Sequence, residues 1–378
     1  MKRWMRLMAI MGALALVIAA CGDEAGEATT TTGGDGGSGD DPMTGECEVD
    51  QVDGDLAFYN WSEYIDPELI SAFEDEHGVD VIEDFYDSNE AMLAQLQAGA
   101  VYDLIVPSDY MVGIMIDEGL LMALDQDAIP NMANLDEDFV NPPYDPNSEY
   151  TAAYQWGTTG LGVNMSVVGE DFEPSWALVF DPELTSTYGG GVSLLNDPRE
   201  TMGAALKYLG YSLNSTSEEE LQEAADLIAE AKANITAFDS DQYGENLVPG
   251  DVAVSHASSS DFFTAFADTD EPDKRAYIIP EGGGTVWVDN MAVPAVAEHP
   301  CTAHTFINYL LDAETGAALT NWNYYASPNA AAEEFILEEI LTDDTIYPSD
   351  DLMNKLEIIR DTGDFEIQYN DFYQLARS

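Results

Sequence analysis

From Leu56 onward, short apolar runs alternate with segments long enough to be helices. That alternation argues for a fold in which helices cover both faces of a parallel sheet. Leu56-Ala57-Phe58-Tyr59 reads as a strand. Asp66-Pro67 opens a helix, with Asp as N-cap and Pro in the first turn. Leu69, Ile70 and Phe73 share one face of it, and Gly78 is its stop. Residues 79–86 are strand-like, 89–97 helical, and 103–107 a buried type of strand. The pattern continues with a strand over 191–195, a helix from Arg199, a long acidic helix over 218–233 and a strand over 252–256. In sheets of this kind ligands sit beyond the carboxyl ends of the strands. The loops after Phe58, Val106, Leu195 and Val286 are therefore the places to search. At 378 residues the chain exceeds one ordinary core, so two domains are expected.

The N-terminus carries a separate message. Lys2, Arg3 and Arg6 precede an apolar run over residues 7–20, too short for a comfortable membrane span and formed like a secretory signal. The run ends in Ile18-Ala19-Ala20-Cys21, which resembles a bacterial lipobox, so Cys21 is the expected site of lipidation once residues 1–20 are removed. Residues 21–47 are rich in Gly, Thr and acid with almost nothing to bury, and read as a disordered tether. Cys47 and Cys301 remain. Outside the cytoplasm a leftover pair is more often a disulfide than two thiols, and neither has a CxxC or His-rich neighbourhood. A bond from the N-terminal arm to a later helix is expected, and no metal site.

Lys and Arg number 11 against 73 Asp and Glu, a net charge of -62. Such a surface repels nucleic acid and anionic membranes, leaving the lipid as the only membrane contact. It favours cationic ligands at long range, but most of the excess reads as adaptation to salt. No GxSxG, HExxH, P-loop or dinucleotide fingerprint is present, and no acidic run has EF-hand spacing. The four histidines are scattered, and Ser255-His256 is a poor nucleophile-base pair. No cofactor is expected. A hydrolase acting on a glycan or ester remains as the alternative of another class, because two catalytic carboxylates leave no sequence signature.

Aromatics and carboxylates recur together at the expected strand ends. They are Trp61-Ser62-Glu63-Tyr64, Ser108-Asp109-Tyr110, Asp197-Pro198-Arg199-Glu200, Trp287-Val288-Asp289, and Tyr325 ahead of Ser327-Pro328-Asn329. Residues two apart in an extended segment share a face, so Trp287 and Asp289 can line one wall. Rings would hold methylenes and carboxylates would hold ammonium groups, which is the chemistry a polyamine needs. Each element also has a structural reading: Trp61 and Tyr64 as core, Asp197 and Glu200 as the N-cap and N3 residues of a helix.

On these strings the chain resembles the bacterial spermidine/putrescine-binding proteins that feed ABC importers. The similarity runs through FYNWSEYI, YDSNEAMLAQL, AVYDLIVPSDY, YQWGTTGLGVN, SLLNDPRE, FDSDQY, EGGGTVWVDNMAVP, ASPNAAAEE and YNDFYQLARS, in family order over nearly everything after residue 55. The resemblance implies a type II periplasmic-binding fold, two α/β lobes with a ligand cleft between them and crossovers at a hinge. One lobe would take residues 48–157 plus 286–335, the other 158–285 plus 336–378. Trp61, Tyr64, Tyr110, Trp287 and Tyr325 would box the methylenes. Glu63, Asp197, Glu200 and Asp289 would receive ammonium groups, and Ser62, Ser108 and Ser240 would add hydrogen bonds. It further implies a monomer without chemistry of its own, outside the cytoplasm, partnered by a permease and an ATPase. Two positions depart from the pattern: Ser258 stands where a cleft Trp is expected, and Ile359 where an amide is expected. They bear on which polyamine, or which other small cation or organic solute, fits.

Overall fold

The computed structural model describes residues 47–378 apart from 87, 189, 190, 241, 268 and 364. The expected signal, Cys21 and the expected tether up to residue 46 lie outside the described residues.

Among the described residues nine strands form one sheet. They are β1 (Leu56–Trp61), β2 (Val81–Tyr86), β3 (Leu104–Ile105), β4 (Thr151–Asn164), β5 (Val192–Leu194), β6 (Ile235–Phe238), β7 (Val254–Ser258), β8 (Arg275–Ile278) and β9 (Thr285–Ala292). The order is β2-β1-β3-β9-β4-β7-β5-β6, with β8 beside β4. Parallel pairing holds on both sides: β1 with β2 and β3, β5 with β6 and β7. The middle is antiparallel, because β4 pairs with β7, β8 and β9 in that sense and β9 meets β3 the same way. The expectation of a parallel sheet is therefore corrected at its centre. There two long strands join two parallel halves, and crossover helices are not needed between them.

Local chemistry sets the helices. Asp66 accepts from the Glu68 amide at 2.9 Å and Pro67 starts the helix Pro67–His77. Gly78, at φ 70, ends it by returning its N–H to Glu74 O at 2.8 Å. Asp197 and Pro198 repeat that device at the helix Pro198–Leu209. The largest core runs from Phe58, Phe73 and Phe306 to Phe262 and Tyr277, and also takes in Ile336, Ile340, Ile346 and Leu356. A second core packs Met202, Leu206, Leu221, Ile228, Tyr369 and Tyr373 against β5. A third, rich in methionine, lies around Met92, Met111 and Met115. Cys47 and Cys301 are bonded, with Cα atoms 5.4 Å apart. No helix among the described residues is long and apolar enough to cross a membrane.

Candidate functional site

The ends of β1 and β3, the start of the helix Pro198–Leu209, and β9 converge on a cleft of about 260 Å³. All of the ligand residues expected from the sequence line it except Glu63. Glu63 sits in the turn after β1 at φ 55, a left-handed conformation, and its side chain is exposed to solvent. Glu63, expected to receive a cation, is not among the residues that line the cleft, while its neighbours Trp61, Ser62 and Tyr64 do face it.

On β9, Thr285, Trp287 and Asp289 alternate onto one face. Four residues of strand put Thr285 and Asp289 about 13 Å apart with the indole between them. Asp289 accepts from Tyr64 Oη at 2.7 Å and from Ser108 Oγ at 2.6 Å. Ser108 is itself oriented by Asn89, whose Nδ2 donates to Ser108 Oγ at 3.0 Å and whose Oδ1 accepts from Ser108 N at 3.1 Å. Burial pushes the Asp289 carboxyl up to about 6, a rise the two hydroxyl donors hold back. At the other end Glu200 accepts from Thr159 Oγ1 at 2.9 Å and Thr285 Oγ1 at 2.7 Å. Burial first, and the charge of Asp197 second, raise Glu200 to about 7.

Asp197 serves two ends at once. Its Oδ1 caps the helix by accepting from Arg199 N at 2.8 Å and Glu200 N at 2.9 Å, and it lines the cleft. Burial raises its carboxyl against the lowering pull of those amides and of the Arg199 charge. Glu200 is at N3 but does not close a capping box, since both its oxygens turn outward to the threonines.

The rings form a connected wall. Tyr325 meets Tyr64 edge-on at 5.1 Å between centroids and Trp287 at 5.2 Å. Trp61 donates Nε1–H to Val106 O at 3.0 Å and tilts against Tyr86 at 4.5 Å. Tyr110 donates to Glu90 Oε1 at 2.9 Å, and Ser240 Oγ accepts from Asn196 N at 3.0 Å. Trp287 lies against Gly157, where a Cβ would come within 2.7 Å of the indole.

Sequence reasoning missed Tyr86, Ser88, Asn89, Tyr243 and Arg199 in the lining, and the role of Asp109. Tyr86 ends β2 in register with Trp61, a pairing that only the sheet reveals. Asn89, one residue past the N-cap Ser88, carried a signal as an amide opening a helix at a strand end. Asp109 is fully buried and accepts from Tyr110 N at 2.7 Å and Val288 N at 3.1 Å, so it ties the loop after β3 to β9. Burial holds its carboxyl well above the usual range. Ser258 and Ile359 also line the cleft. The set can hold an elongated ligand with cationic ends and an apolar middle.

Residues 68–349 match the family described as bacterial extracellular solute-binding protein. The spermidine/putrescine-binding periplasmic protein of Escherichia coli K12 is 34% identical over 380 residues, covering 100% of this chain and 99% of the relative. The substrate-binding protein of a spermidine/putrescine ABC transporter from Streptococcus pneumoniae, solved with calcium and HEPES, superposes with a TM-score of 0.74. It is 31% identical, covering 86% of this chain and 100% of that one. The TpPotD lipoprotein of Treponema pallidum gives a TM-score of 0.75 at 33% identity, over 85% of this chain and 99% of that one. These relatives are solute-binding transport proteins rather than enzymes.

Proposed function

The chain belongs to the bacterial extracellular solute-binding proteins, and on that premise we propose that it captures a polyamine and delivers it to an ABC permease and its ATPase. Its architecture is the two-lobed α/β fold of type II periplasmic-binding proteins. We place one lobe in residues 48–157 plus 286–335 and the other in 158–285 plus 336–378, with the protein outside the cytoplasm, held to the membrane through a lipid on Cys21 and acting as a monomer.

The observation that carries the reading is the face of β9: Asp289 at one end, the Glu200–Thr285 pair at the other, and Trp287 between, edged by Tyr325. Ammonium groups would bind Asp289, Glu200 and Asp197, with Ser62, Ser108 and Ser240 adding hydrogen bonds. Methylenes would lie on Trp61, Tyr64, Tyr110, Trp287 and Tyr325. A charge-assisted hydrogen bond contributes about 1.5–3 kcal/mol and a cation over a ring about 0.5–2 kcal/mol, so two or three such stations suffice for micromolar affinity. Calorimetry and thermal unfolding with putrescine, spermidine, arginine, calcium and a simple sugar test this. A bound polyamine at a hundred times its Kd stabilises by about 2.7 kcal/mol. A response to sugar or calcium and to no amine overturns the reading. A response to arginine in preference to polyamines would point to another cationic solute.

Proton linkage gives a further expected outcome. Asp289, at about 6, and Glu200, at about 7, stand above ordinary carboxylates, so in the free protein both ionise only as pH rises through that window. Their contribution to the stability of the free protein is present near pH 4 and lost by pH 7–8. A dication restores it by binding the ionised forms. Polyamine affinity therefore rises between pH 5 and pH 8 by about tenfold or more, with proton release seen as a buffer-dependent binding heat. A flat pH profile would remove the two carboxylates from the binding step.

Gly157→Ala is expected to push the Trp287 ring into the cleft, because the added methyl would otherwise sit 2.7 Å from it. Affinity should fall about fivefold to tenfold, roughly the 1–1.4 kcal/mol of one cation–ring contact. Unchanged affinity, measured by calorimetry, would show that the indole does not touch the ligand.

A further inference from the structure

Ile359 belongs to a segment with no strand or helix to hold it. After the single bridge of Glu357 to Thr285, residues 358–362 run without regular structure between Leu356 of the largest core and Tyr369 of the second. Ile359 is nevertheless buried, at 7% exposure, and lines the cleft. An isoleucine side chain cannot anchor its own backbone by hydrogen bonds, so its place must be set by what grips its neighbours.

The grip comes from side chains on and just after the helix Pro198–Leu209. Asn214 reaches both flanks of Ile359. Its Nδ2 donates to Ile358 O at 2.8 Å, and its Oδ1 accepts from Arg360 N at 2.8 Å. Arg199, itself 6% exposed, donates through one nitrogen to Arg360 O at 3.0 Å and through the other to Asn214 Oδ1 at 3.0 Å. Its charge is answered by Glu366, which also accepts from Thr362 N at 2.9 Å. The guanidinium lies 4.3 Å from the centroid of Tyr369, whose hydroxyl is 2.8 Å from Leu213 O beside Asn214. Below Ile359, Glu357 pairs with Lys207 of the same helix. The helix that presents Asp197 and Glu200 to the cleft therefore also holds, through Arg199 and Lys207 and with Asn214 just beyond its end, the segment that forms another of its walls.

We infer that Asn214 and Arg199 are positioning residues that fix Ile359 as an apolar wall of the cleft and thereby set which amines fit. The inference rests on the polyamine reading for the identity of the ligand. Isoleucine offers no acceptor to an ammonium, so the part of a ligand that packs on this wall must be its methylenes, with each ammonium reaching past the wall to an acceptor. A wall held from both sides discriminates among amines of different length. A wall free to swing aside does not.

The test has two arms on the whole protein. In the first, amide hydrogen exchange of the free protein is compared between wild type and Asn214→Ala. The Arg360 amide should exchange at least about tenfold faster in the variant, while amides of β1 keep their rates. In the second, putrescine and spermidine affinities are measured by calorimetry for wild type, Asn214→Ala, Ile359→Ala and the double variant. The ratio of the two affinities should shift about fivefold or more in each single variant, and the double variant should shift it no further. An unchanged Arg360 rate, an unchanged ratio, or fully additive shifts overturns the proposal. If wild type binds neither amine, the polyamine reading falls, and the exchange arm still decides whether Asn214 positions the segment. Should Asn214→Ala not fold, Asn214→Leu keeps the volume, removes the bonds to both Ile358 O and Arg360 N and should show both effects; the absence of both in that variant overturns the proposal.

Discussion

Asp289→Asn weakens polyamine binding about 100-fold while leaving thermal stability at pH 8 unchanged or slightly higher. Both oxygens of the carboxylate accept hydroxyl hydrogens, from Tyr64 and from Ser108. An amide keeps one of those bonds through its oxygen and meets the serine with an N–H instead, and the serine oxygen can still accept. The substitution changes volume little and leaves the fold its contacts. It removes the negative charge that a buried ammonium would need. Truncating one partner of a buried charge pair costs about 2–5 kcal/mol, and about 2.8 kcal/mol corresponds to 100-fold. In the free protein the same charge is a burden, since burial raises the carboxyl to about 6. At pH 8 the variant escapes that burden, so its unliganded form should not melt earlier. Calorimetry and thermal unfolding, run side by side, separate the two effects. A loss of stability as large as the loss of affinity would make Asp289 a structural residue, and an affinity within fivefold of wild type would remove it from the site.

The residues legible in the sequence were those whose chemistry is local. Asp66-Pro67, Gly78 and Asp197-Pro198 announce helix ends because caps need particular side chains at fixed offsets, and each forms the expected contact. Trp287 and Asp289 share a face because a strand has period two. The antiparallel middle of the sheet was not legible. β4 is buried along its whole length, yet its sequence, TAAYQWGTTGLGVN, is mostly small and polar and gives no apolar run to read. Its glycines reflect neighbours far off in the chain, as Gly157 does beneath Trp287. Glu63 shows the opposite case. It stands beside three cleft residues in sequence, but a single left-handed residue turns its side chain to solvent. The support for Ile359 was likewise hidden, because Asn214 and Arg199 lie about 150 positions away and act on backbone atoms that any residue would offer. What stays local in the chain can be read from it. Sites assembled by contacts between distant segments need the fold.

The disulfide extends that point to stability, and removing it gives the second large expected effect. Replacing Cys47 and Cys301 together by alanine should lower stability by about 2–5 kcal/mol, because the bond spans 254 positions and a long loop frees the most chain entropy when opened. The lower end of that range is expected. The arm it fastens is also held by polar contacts that survive the substitution. Asp53 accepts from Thr302 N and Thr302 Oγ1, each at 3.0 Å, at the start of the helix Pro300–Leu310, where His299 supplies no side-chain cap. Thr305 Oγ1 donates to Gln51 O at 2.7 Å. A carboxylate at a helix N-terminus is favourable by itself, so the arm should remain docked in the folded variant. Tm should therefore fall by about 3 °C or more, while polyamine affinity at 25 °C stays within twofold, since neither cysteine lines the cleft. Reductant added to the wild-type protein should reproduce the shift in Tm. A variant that melts like wild type would mean that the polar contacts alone carry the arm, and a matching loss of affinity would tie the arm to the cleft.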